Sequence, residues 1–109
     1  MIVLRGYIDE SGKQRFSEWF EGLDATAAAK VAMALARMEQ GNFSRTKSVG
    51  SGVYEHKIDF GPGYLIYFGK DGGSIVILLG GGTKKRQQQD IKTAKECWDA
   101  YKLRKKRES

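Results

Sequence analysis

The chain has 109 residues, enough for one hydrophobic core and too few for two. Its composition, 40% hydrophobic and 29% charged with a single cysteine, excludes intrinsic disorder and any internal disulfide. The formal net charge is +6, and one end carries it: residues 1–82 hold nine Lys/Arg and nine Asp/Glu, residues 83–109 hold ten and four.

Residues 1–8 alternate weakly, are β-rich and read as a first strand. Glu10-Ser11-Gly12 is a turn. Phe16, Trp19, Phe20 and Leu23 follow at i, i+3, i+4 and i+7, the apolar stripe of a helix that Gly22 ends. Asp24 is placed as the N-cap of a second, alanine-rich helix. Val31, Leu35 and Met38 line one stripe of that helix, and Gly41 stops it. So short a link makes the two an αα-hairpin.

From residue 43 the period becomes two. Over Val53 to Phe60, Glu55, Lys57 and Asp59 share one face, and Tyr54, His56, Ile58 and Phe60 the other. Gly61-Pro62-Gly63 is a turn. In the strand Tyr64 to Phe68, Leu65 and Tyr67 share one face and Tyr64, Ile66 and Phe68 the other. Asp71-Gly72 marks a hairpin. Ile75 to Leu79 lacks alternation and suits a strand buried on both faces. Residues 84–103 form a closing helix with Ile91, Ala94, Trp98 and Tyr101 inward, and 104–109 are expected as a basic, frayed tail that serves binding more than folding. The prediction is one α+β domain over 1–109. It has an N-terminal strand, a helical hairpin, a mainly antiparallel sheet of about four to five strands and a C-terminal helix. The helices are expected on one face of the sheet.

The longest apolar run falls far short of the ~20 residues of a membrane helix, and Met1 to Arg5 is too short an apolar run for a signal peptide. One Cys and one His argue against a zinc site, so neither metal nor other cofactor is expected. These features fit a cytoplasmic protein with no membrane partner. Positive charge confined to one end points to a polyanion, with nucleic acid ahead of a membrane surface.

Gly80-Gly81-Gly82-Thr83-Lys84-Lys85-Arg86 lacks the phosphate-loop pattern GxxxxGK[ST], which disfavours nucleotide hydrolysis. A glycine run opening a helix, followed by three cations, still offers a phosphate contact. The strand face holding Lys47, Glu55, Lys57, Asp59 and Tyr67 is expected to be polar and solvated. His56 lies on the apolar side of its strand and reads as a packed histidine. Cys97, with no histidine spaced to activate it, reads as structural.

Three stretches carry a resemblance: FSEWFEGLDATAAAKVAMALARMEQGNF, KSVGSGVYEHKIDFGPGYLIYF and ILLGGGTKKRQQQDIKTAKECW. Over residues 3–103 the chain resembles the RelE/ParE toxin superfamily, in its HigB-like "addiction module killer protein" branch. GPGY followed by YF, and LLGGG-x-K-x-x-Q-x-x-DI, are specific in combination. The resemblance implies the RelE-like α+β fold. It also implies a type II toxin that cuts mRNA, often on the ribosome, as a metal-independent endoribonuclease. The implied partners are a cognate helix-turn-helix antitoxin, mRNA and the ribosome, with operator DNA reached only through the antitoxin.

The family's functional positions fall on Lys47, Lys57, Lys84 and Gln87. Lys57 and Lys84 are expected to stabilise charge or transfer protons, and Tyr67 to stack on a base or orient the phosphate. Lys47, Lys85, Arg86 and Gln87 are expected to contact RNA. The chain departs from the family at Leu65, where relatives carry Arg, at Thr83, where Asp is usual, and at His56, where Leu is common. Leu65 on a solvated face would weaken catalysis without affecting stability. Two alternatives remain: a ParE-like inhibitor of DNA gyrase, and a catalytically dead RNA- or ribosome-binding domain.

Overall fold

In a computed structural model, which describes residues 1–108, the chain runs β1 (Val3–Gly6), α1 (Arg15–Glu21), α2 (Ala25–Glu39), β2 (Thr46–Gly50), β3 (Val53–Ile58), β4 (Tyr64–Asp71), β5 (Ile75–Thr83), a short 3-10 turn (Lys84–Arg86) and α3 (Gln87–Glu108). This is the α+β layout expected. The sheet is ordered β1-β5-β4-β3-β2. β1 pairs with β5 in parallel, and the other pairings are antiparallel.

The local signals act as their chemistry requires. The Asp24 carboxylate accepts from the Ala27 N–H at 2.8 Å, capping α2. Ala27, Val31, Ala34 and Met38 form the buried stripe of α2. Helix α1 is only seven residues long, marginal by itself, and is held by packing of Phe16, Trp19 and Phe20. No helix among the described residues is long and apolar enough to cross a membrane.

Helices cover both faces of the sheet, not one. The hairpin α1–α2 packs on one face, where Phe16, Val31 and Met38 meet Ile58, Ile66 and Phe68. Helix α3 packs on the other, where Ala94, Cys97 and Trp98 meet Val53, Leu65, Tyr67, Ile77 and Leu79. The strand phase is as expected, since Leu65 and Tyr67 share a face and Ile66 takes the other. That shared face is not solvated: its charged residues lie towards one end, and its centre is apolar enough to bury under a helix.

The expected frayed tail is also corrected. Residues 104–108 continue α3, while Ser109 lies outside the described residues. Arg104 donates to the Ile8 carbonyl at 2.7 Å, and Lys105 pairs with Asp71 at 2.5 Å, tying this end of the helix down.

The glycine run is strand and does not open the helix. Gly80, Gly81 and Gly82 pair with Tyr67, Ile66 and Leu65 of β4, which commits their backbone to the ladder. A bulge at Leu79, between Leu78 and Gly80, shifts the alternation, so that Leu79 and Gly82 both face α3. The run serves close approach. A Cβ on Gly81 would stand 2.2 Å from the Trp19 ring of α1, and one on Gly82 would stand 2.1 Å from the Asp90 carboxylate of α3.

Candidate nucleic-acid interface

The open end of the β2–β3–β4 segment meets the start of α3 in a cleft of about 500 Å³, lined by Arg45, Thr46, Lys47, Glu55, Lys57, Leu65, Lys84 and Gln87. Four of these eight residues are cations, and the single acid is already engaged. Gln87 Nε2 donates to both Glu55 oxygens at 3.1 and 3.0 Å, and Lys47 approaches the same carboxylate at 3.5 Å. The field of the cleft is therefore positive and its walls are fixed.

Lys57 and Lys84 converge here from different elements. Lys57 is on β3, and Lys84 follows β5. The Lys84 backbone N–H donates to the Gly63 carbonyl at 3.2 Å. Its stem lies over the turn, where a Cβ on Gly63 would come within 3.2 Å of Lys84 Cδ; Gly63 also has φ +81°, which only glycine takes readily. The GPGY motif thus makes a bed for the Lys84 side chain. Contact with the Lys57 ammonium and repulsion from its charge hold the Lys84 pKa below its ordinary value, assisted by desolvation and opposed by Asp59. Two like charges brought together by rigid elements form a seat for an anion.

Arg45 adds a third arm. Its Nε donates to the Lys57 carbonyl at 3.1 Å, and its guanidinium pairs with Asp59, which also lies 3.7 Å from Lys57 Nζ. Asp59 thereby positions two cations of the cleft. No spacing signal points to Arg45, because it reaches Lys57 only across the strand pairing.

The other anticipated residues are sorted by the structure. Leu65, the cross-strand partner of Lys57, lies at the floor of the cleft and is 1% exposed. Tyr67 is also 1% exposed, so its ring offers no surface to a base, and burial followed by the Glu55 and Asp90 charges pushes its pKa up. Its hydroxyl is the one fully buried polar side-chain atom without a partner among the described residues. Lys85 and Arg86 are exposed but stand outside the cleft lining. Gln87 lines the cleft, with its amide engaged by Glu55.

His56 faces α2, as its strand phase indicated. It lies 3.4 Å from Thr46 Oγ1, and burial followed by Arg45 and Arg37 lowers its pKa. Cys97 is buried under α3, and burial raises its thiol pKa. No group of three or more His, Cys, Asp or Glu side chains among the described residues is placed to hold a metal ion.

No protein-family model matches the chain. No solved structure matches it. A curated protein of Haemophilus influenzae, described as an uncharacterized protein, is 43% identical over 81 residues, spanning 73% of this chain and 82% of that protein.

Proposed function

The chain belongs to the same family as that Haemophilus influenzae protein, and we propose that it is the toxin of a type II toxin–antitoxin pair, acting as an endoribonuclease on mRNA. The observation that carries this reading is the convergence of Lys57 and Lys84 in a cleft whose one lining acid among the described residues, Glu55, is bonded by Gln87 and paired with Lys47. The resemblance to RelE/ParE toxins, read from the sequence, names the same two positions.

The chemistry follows from those groups. The ribose 2′-oxygen attacks the adjacent phosphorus, the bond to the 5′-oxygen breaks, and a 2′,3′-cyclic phosphate and a 5′-hydroxyl result. Lys84, its pKa lowered by its neighbour, accepts the 2′-hydroxyl proton in its neutral form. The Lys57 ammonium faces the phosphoryl oxygens, where preorganised cations act most strongly, and gives its own proton to the leaving 5′-oxygen, so that Lys84 ends protonated, Lys57 ends neutral, and exchange with water resets both. Lys47 and Arg45 hold the flanking backbone as phosphate contacts. The cognate helix-turn-helix antitoxin silences the toxin, operator DNA is met only through it, and the site of action is the ribosome in the cytoplasm.

Leu65 favours a second reading. An apolar side chain at the cleft floor cannot grip a phosphate as the family's Arg does, so a binding role, including ParE-like inhibition of DNA gyrase, needs no change at that position. The test is incubation of the purified chain and its Lys84→Ala variant with ribosome-bound message in EDTA, alongside a gyrase supercoiling assay. Cleavage lost in Lys84→Ala supports the ribonuclease. Message left intact by both the native chain and Leu65→Arg overturns it, and inhibited supercoiling would then install the gyrase reading.

A further inference from the structure

The cleft does not end at Gln87. Along one flank of α3, Gln87, Ile91, Lys95, Trp98 and Lys102 follow one another at helical spacings of three and four. This flank faces the β2–β3 hairpin and the end of β4. Gln87 bonds Glu55 on β3. A Cβ on Gly50 would stand 3.3 Å from Lys95 Nζ, and one on Gly52 would stand 2.7 Å from Trp98 Nε1. At the far end a second cleft of about 370 Å³ opens, lined by Trp98, Tyr101 and Lys102 among others. Its aromatic pair is stacked, with centroids 5.3 Å apart and rings 7° from parallel, and Lys102 Nζ lies 5.9 Å from the Trp98 ring.

The acids along this flank are spoken for. Glu55 is held by Gln87 and Lys47, Asp71 by Lys105 and the Tyr101 hydroxyl, and Asp99 lies 3.8 Å from Lys102. Lys95 has no carboxylate within ion-pair distance among the described residues. Trp98 is 5% exposed and backs the ring of half-buried Tyr101, so Tyr101 supplies the aromatic surface of this cleft. A cationic groove ending in such a cleft matches the chemistry of single-stranded nucleic acid, whose backbone follows the charge while a base rests against aromatic carbon.

We propose that the α3 flank, from the Lys57–Lys84 cleft through Lys95 to the Trp98–Tyr101–Lys102 cleft, is a track for single-stranded RNA continuing from the cleaved phosphate. This deepens the ribonuclease reading and rests on it for the identity of the strand. Gln87 and Lys102 are fifteen residues apart, roughly 22 Å along a helix, which at ~3.4 Å per stacked nucleotide holds about six nucleotides.

The experiment measures anisotropy of fluorescein-labelled 2′-O-methyl RNA, which cannot be cut, as a trimer and a nonamer over a salt series. Lys95→Gln/Lys102→Gln should lower the slope of log K against log[salt] for the nonamer by about 1.4, two phosphate contacts at ~0.7 each. The trimer should bind it like the native chain, and Lys95→Arg/Lys102→Arg should keep the native slope. An unchanged nonamer slope overturns the track. So does an equal loss for the trimer, which would make the lysines a general field. A nonamer duplex competing as well as the single strand also overturns it. The ribonuclease reading fails separately, if ribosome-bound message stays intact with the native chain and with Leu65→Arg while the nonamer slope still falls as expected.

Discussion

Gln87 Nε2 spans 32 positions of sequence to reach both oxygens of the buried Glu55 carboxylate, at 3.1 and 3.0 Å. This contact fastens the start of α3 to β3 and sets one wall of the cationic cleft. Gln87→Leu leaves that carboxylate buried with only the Lys47 ammonium beside it. The expected loss is ~1.5–3 kcal/mol, the usual worth of hydrogen bonds to a charged group. Urea unfolding measures it. The double change Glu55→Leu/Gln87→Leu should recover part of the loss, because no unpaired charge then stays buried.

Lys57→Gln should return the Lys84 pKa upward toward the ordinary lysine value, since Lys57 is the main cause of its depression. Titration of the Lys84 ε-methylene by NMR reads this directly, whatever the reaction. In a cleavage assay the alkaline rise of activity should move to higher pH in step. An unmoved Lys84 titration would place the two ammonium groups apart in solution.

Leu65→Arg should now carry a stability cost of ~1–3 kcal/mol. The site is 1% exposed, and a longer side chain must leave the packed floor to put its charge into the cleft. On the ribonuclease reading, cleavage should rise roughly 10²–10³-fold, the typical effect of one preorganised donor. Chemical denaturation and single-turnover cleavage separate the two effects.

His56 predicts acid sensitivity in a window of its own. Its folded pKa is lowered from 6.5, so the unfolded chain binds the proton more tightly. Its contribution is therefore full above pH 6.5 and is lost as pH falls toward the folded value. Asp9, Asp59 and Asp71, also lowered, lose theirs only below the ordinary Asp value of 3.8. Unfolding free energy should decline from pH 7.5 to about 5, and His56→Leu should flatten that stretch.

Gly81→Ala should destabilise by ~1–3 kcal/mol, because its Cβ would fall 2.2 Å from the Trp19 ring. In a Trp19→Leu background the same change should cost much less. Thermal melts of the four chains complete the cycle. An equal cost in both backgrounds would mean that the strand, and not the ring, sets the requirement for glycine.

The sequence by itself determined the element order, the Asp24 cap, the strand phase at residues 64–68 and the concentration of charge after residue 82. Each is a local property: periodicity, capping and composition act within a few residues. Lys47, Lys57, Lys84 and Gln87 were named together only by the resemblance to RelE/ParE toxins, and the fold brings all four to one cleft.

Tertiary structure alone decided what covers those elements. Period two says that Leu65 and Tyr67 share a face but not whether water or a helix lies above it. The answer comes from α3, whose Ala94, Cys97 and Trp98 are more than 25 positions away. The glycines at 80–82 read as the opening of a helix because glycine is poor in strands, yet Trp19 and Asp90 occupy the space their side chains would need at 81 and 82. Arg45 entered the cleft through β2–β3 pairing, and Arg104 and Lys105 fastened the end of α3 through Ile8 and Asp71. Those partners are distant in sequence, and burial and charge pairing between distant segments are settled only when the chain closes.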